Sequence, residues 1–99
     1  MWKVELARTE DTVAIFIRPP EPFRFSFEEH FRHLSSEEVS ATWVLLLNIA
    51  KSLVGDNIEV KEDRAHFELK DAKELFLFLT AAEGMVLGKV MSIEEKEAD

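Results

Sequence analysis

Apolar and polar residues alternate along the first eighteen positions. Trp2, Val4 and Leu6 oppose Lys3, Glu5 and Ala7, and Val13, Ile15 and Ile17 oppose Ala14, Phe16 and Arg18. A period of two predicts half-buried strands. Here it predicts a hairpin over residues 2–18 that turns at Thr9-Glu10-Asp11 and leaves Phe16 on the outer face. Pro19, Pro20 and Pro22 then exclude a central strand or a helix interior, and so dense a run predicts an extended, polyproline-like linker over 19–25.

Beyond the linker the period changes. Ser26 stands three residues before Glu29, the spacing of a capping box, which predicts a short helix over 27–34. Ser35 repeats the device with Glu38, and Val39, Trp43, Leu46, Ala50 and Leu53 recur at spacings of three and four, predicting a helix over 36–54 that ends at Gly55. Ile58 and Val60, then Ala65, Phe67 and Leu69, alternate with charged residues around Glu62-Asp63-Arg64, a second hairpin whose turn lacks glycine. Asp71 with Glu74 opens another helix, and Leu75, Leu79, Ala82, Val86, Val90 and Ile93 extend its stripe over 72–93, before a frayed acidic tail over 94–99. The order β-β-(α)-α-β-β-α implies one α+β domain over 1–99, with two long helices on one face of an antiparallel sheet of about four strands.

Composition narrows the function classes. Of 99 residues, 46% are hydrophobic and 32% charged, which suits one folded domain with a heavily charged exterior. The formal net charge of −8 argues against a nucleic-acid binder that works by wholesale phosphate neutralisation. The acidity is uneven: residues 1–34 hold five cations against six anions, and the remainder seven against fourteen. The chain has no cysteine, which removes disulfides, thiolate metal sites and cysteine nucleophiles. No uncharged apolar run is long enough for a membrane span and the first residues do not read as a signal peptide, so a cytoplasmic, membrane-free protein is expected. Fifteen Glu with no Gln and two Asn match the avoidance of thermolabile side chains in thermophiles.

Candidate chemistry concentrates in three places. Leu75-Phe76-Leu77-Phe78-Leu79 is apolar on every side of its helix, more than one small sheet can cover, so Leu77 and Phe78 are candidate partner contacts. Gly84 and Gly88 lie four apart around Met85, and helix-interior glycines suit close approach by another helix, either 36–54 of the same chain or a partner's. The segment from Arg18 to Phe27 combines prolines, aromatic rings and guanidinium groups, the materials of peptide docking or base stacking. Phe16, Phe23 and Phe25 therefore join the candidate partner contacts, and Arg18, Arg24 and Arg32 are candidate RNA contacts. Alternatively, Phe23, Phe25, Phe27 and Phe31 roof the domain's own sheet edge. Thirdly, His30 and His33 are three apart on the expected short helix, so with Glu29 or Glu37 a two-His, one-carboxylate metal site is geometrically allowed.

Nothing else reads as catalytic. No phosphate-cradling glycine loop and no nucleophile elbow occurs, and Ser26 and Ser35 read as helix caps. The expected function is that of a non-catalytic interaction subunit with no cofactor and no metal. It would form a homodimer or heterodimer through helix 72–93 and meet nucleic acid only indirectly or through a basic partner.

The Ser-Glu-Glu-Val opening of the first long helix (Ser36 to Val39), the following β-hairpin, and a second long helix closing on Val90-Met91-Ser92-Ile93-Glu94 resemble the small dimerisation subunit of KEOPS, the complex that installs threonylcarbamoyl on adenosine in tRNA. The resemblance implies a subunit that pairs through its helices with itself or a paralogue and bridges copies of a catalytic subunit. The hairpin is shorter than that family's, and residues 1–35 add an extra strand, the proline linker and a short helix. No functional residue carries over.

Overall fold

The computed structural model describes residues 1–31, 33–83 and 89–95. In chain order the elements are β1 (Trp2–Arg8), β2 (Val13–Arg18), β3 (Phe25–Phe31), α1 (Ser36–Val54), β4 (Ile58–Val60), β5 (Arg64–Leu69), α2 (Ala72–Glu83) and β6 (Lys89–Glu95). The strands form one six-stranded sheet in the order β4-β5-β1-β2-β3-β6, with every neighbouring pair antiparallel.

The alternation in the sequence sets the layers. Val4 sits opposite Ile17 and Leu6 opposite Ile15 across β1 and β2, while Val4 and Leu6 face Phe67 and Ala65 across β1 and β5. These side chains lie on one side of the sheet, where they are buried together with Val39, Trp43, Leu46 and Ala50 of α1 and Phe78 and Ala82 of α2. The two helices also pack on each other. The α+β class, the antiparallel sheet and the helices on one face are as the sequence leads one to expect.

Helix ends follow their caps. The Ser35 hydroxyl accepts from the Glu38 N–H at 3.2 Å and the Glu38 carboxylate accepts from the Ser35 N–H at 2.9 Å, a complete capping box. Gly55 ends α1 at a φ of +63°, its N–H donating to the Lys51 carbonyl at 2.9 Å. With no atom within 4 Å of where a Cβ would stand, the demand for glycine there is conformational rather than steric. At the start of α2, Asp71 accepts from the Glu74 N–H at 2.9 Å and Glu74 from the Lys70 N–H at 3.0 Å.

Three expectations are corrected. The short helix over 27–34 is instead β3, for Phe27 and Phe31 pair across to Ile17 and Val13 and are buried, with Ser26, Glu28 and His30 on the other side. A helix would set Phe25 on the opposite side from Phe27 and Phe31, whereas a strand puts all three on one face. The linker is not extended: the Phe23 N–H donates to the Pro20 carbonyl at 3.0 Å, a turn, and Phe25 already belongs to β3. Helix 72–93 does not run to 93: α2 is described over Ala72–Glu83, and residues 89–95 are β6, paired to β3 with Ile93 opposite Phe27 and Lys89 opposite Phe31. Gly84 and Gly88, the residues a helix tolerates least apart from proline, lie between the two elements in sequence, and pairing with β6 satisfies a β3 edge that would otherwise be open. The sheet therefore has six strands rather than about four, and Glu94 and Glu95 belong to a strand rather than to a frayed tail.

Candidate functional site

The helix layer separates the apolar residues of α2 into two sets. Phe78 is fully buried, its ring edge-on to Phe67 with centroids 5.3 Å apart, and Ala82 is buried behind it. Phe78 is thus a core residue and not the surface anchor expected. Leu77, 48% exposed, is at the surface as expected, and beside it Phe76 is 69% exposed. Phe76 was missed, yet the signal was present: in the stripe of Leu75, Phe78, Leu79 and Ala82, positions 76 and 77 are those pointing away. On α1, Val44 and Leu45 are likewise 53% and 44% exposed. Four apolar side chains therefore stand on the outer surface of the α1–α2 layer. The exposed carboxylates at the ends of these two helices are Glu37, Glu38, Asp56, Asp71 and Glu83, against the exposed helix cations Lys51 and Lys73. Gly84, Met85 and Gly88 lie outside the described residues.

The proline turn folds its rings onto the domain itself. Trp2 lies 5.6 Å from Phe23 and 6.0 Å from Phe25, centroid to centroid, and the two phenylalanines are 6.3 Å apart. Phe25 is half-buried there, and Phe23 covers Trp2 with one side while remaining 54% exposed. Both residues roof the domain's own sheet end, the alternative raised from the sequence. Arg24 is exposed in the loop before β3, and Arg32 lies outside the described residues.

The histidines are not brought together. On a strand rather than a helix, His30 and Glu29 point to opposite faces: Glu29 is buried on the helix side, and His30 is half-buried on the other. His33 follows β3 at a φ of +60°, and Glu37 belongs to the first turn of α1. Among the described residues no group of three or more His, Asp or Glu side chains could hold a metal ion.

The sheet face opposite the helices is uncovered by any described element. Phe16 occupies its middle, half-buried, with Glu5 opposite on β1 and Glu28 opposite on β3. His30 meets the Phe16 ring edge-on at 5.6 Å and approaches the Glu28 carboxylate at 3.4 Å. Arg64 forms an ion pair with Glu5. Two depressions, of about 490 and 310 Å³, lie on this face and share Glu5, Phe16 and Arg18 in their walls. Phe16 points outward as its place in the alternation predicts, but the gathering of Arg18, Lys3 and Arg64 on its face depends on the register of three strands.

Titration is clearly perturbed at Glu38. Its carboxyl is held below its ordinary value of 4.5 by the Ser35 backbone N–H first and the Ser35 hydroxyl second, so this shift belongs to the cap of α1 and not to a reaction centre. No protein-family model matches the chain, and neither does any curated protein or solved structure. No described helix is long and apolar enough to cross a membrane.

Proposed function

We propose that this chain is a non-catalytic binding module that docks a protein partner on the outer surface of α1 and α2. The observation that carries the reading is the exposure of Phe76 and Leu77 on a helix whose other side already supplies the core through Phe78 and Ala82. Large exposed aromatic and aliphatic residues with a charged rim are the pattern of an interface centre. Covering Phe76 and Leu77 would contribute roughly 1.5–3 kcal/mol each, enough to anchor a complex.

Charge selects the kind of partner. The ends of α1 and α2 carry more exposed carboxylates than the helices carry cations and the whole chain carries −8, so a second copy would bring like charge against like, while a basic surface would be attracted. The partner is therefore a basic protein with an apolar centre to its contact surface. A subunit of a KEOPS-type tRNA-modification assembly is the setting that the sequence resemblance suggests. That resemblance now rests on Ser36 to Val39 and the β4–β5 hairpin, since residues 90–94 stand in a strand.

The test compares tagged wild type with a Phe76→Ser, Leu77→Ser double variant, both purified from native cells. The reading expects one basic protein at near-stoichiometric amount with the wild type, and its loss in a variant whose melting temperature is unchanged. Equal recovery with both proteins would contradict it.

A further inference from the structure

The uncovered sheet face carries two cations that make no ion pair among the described residues. Within the two depressions Glu5 is held by Arg64, and Glu28 faces His30. Lys3 and Arg18, by contrast, stand directly opposite each other across β1 and β2. Like charges in directly opposed cross-strand positions are destabilising. Neither makes an ion pair among the described residues, although Glu68 lies opposite Lys3 on β5. Both cations line the smaller depression, so an anion held in it meets the two together.

The next position on this face of β2 is Phe16, two residues from Arg18, so an apolar ring lies beside both cations in the smaller depression. Its volume, about 310 Å³, lies at the lower end of the range of small-molecule sites. A ligand with a flat aromatic part and an anionic part meets both features. We infer that this face binds a single nucleotide, its base stacked on Phe16 and its phosphate between Lys3 and Arg18. The net charge of −8 favours one phosphate over a polymer, whose successive phosphates would need a row of cations. The site is on the opposite side of the sheet from Phe76 and Leu77, so it stands or falls independently of the partner surface.

Calorimetric titration of the full chain with adenosine 5′-monophosphate tests the inference, with adenosine, inorganic phosphate and a single-stranded hexanucleotide titrated in parallel. Adenosine monophosphate is expected to saturate one site. Adenosine and phosphate alone should each bind at least about tenfold more weakly, since each lacks one of the two contacts. Arg18→Glu, an exposed change, is expected to abolish saturation, and Phe16→Ala to weaken it about tenfold while the fold persists by circular dichroism. Failure of the monophosphate to bind at millimolar concentration, equal affinity for adenosine or phosphate, an unaltered Arg18→Glu variant, or binding of the hexanucleotide alone would each overturn it.

Discussion

Phe67 on β5 and Phe78 on α2 meet edge to face, their ring centroids 5.3 Å apart at an interplanar angle of 69°. That contact fixes the rotation of α2 about its axis, burying Phe78 and Ala82 and turning Phe76 and Leu77 outward. Three consecutive large apolar residues thus have two different roles.

Neighbouring substitutions should therefore differ sharply. Phe78→Ala empties a fully buried site and is expected to cost about 3–5 kcal/mol, whereas Phe76→Ala should stay within about 0.5 kcal/mol of wild type. Urea unfolding of both variants checks this. Comparable losses at the two positions would mean that α2 is rotated from the orientation described.

β3 makes a prediction of the same kind. Phe27 and Phe31 are buried while Glu28 between them is exposed. Phe27→Ala is expected to cost about 3 kcal/mol or more and Glu28→Ala under about 0.5 kcal/mol, an alternation with period two. In hydrogen exchange, amides of residues 27–31 should be protected by pairing to β2 and β6.

The cap of α1 links stability to pH. Ser35→Ala removes an N-cap hydroxyl and is expected to cost about 1 kcal/mol. Because the folded Glu38 carboxyl titrates below its ordinary value of 4.5, its contribution is fully present above that value and is lost as pH falls through the depressed folded value. Thermal melts of wild type and Glu38→Gln from neutral pH to pH about 3 should show a gap that closes on acidification. A gap that widened with acid would contradict the capping geometry.

Arg8 ties three elements at one end of the sheet. Its guanidinium lies 5.1 Å from the centre of the Trp43 ring on α1, its Nε donates to the Glu62 carbonyl at 2.9 Å, and its backbone N–H donates to the Asp63 carbonyl at 3.0 Å. Arg8→Lys keeps the charge but loses the planar stack and the fixed Nε donor, so a loss of about 1 kcal/mol is expected in urea unfolding. Lys restoring full stability would show that charge alone accounts for the contact.

What could be read from the sequence was local. The first hairpin, α1 from Ser35 to Gly55, the β4–β5 hairpin and the start of α2 each carry their signal within a few residues, as alternation or as a capping pair. β3 was misread because Ser26 and Glu29 imitate a capping box, and because Glu29, a carboxylate buried on the helix side, interrupts the apolar row of Phe25, Phe27 and Phe31. β6 was misread because Val90 and Ile93 continue the helical spacing of Leu75, Leu79 and Ala82. Its partner β3 is some sixty residues away in sequence, so nothing local announces the pairing. The exposed surface of α2 was foreseen at Leu77 but with Phe78 in place of Phe76, since burial depends on which side meets Phe67. The cluster around Phe16 depends on the register of β5, β1, β2 and β3 together.

The central claim is that the α1–α2 surface, at Phe76, receives a basic protein. The most direct measurement places a photo-reactive phenylalanine analogue at position 76 and, as the opposite-face control, at position 16, then irradiates native cells. The account expects one covalent adduct from position 76, to a basic protein, and no such adduct from position 16. Adducts from position 76 only to a second copy of the chain, or none at all, would contradict it.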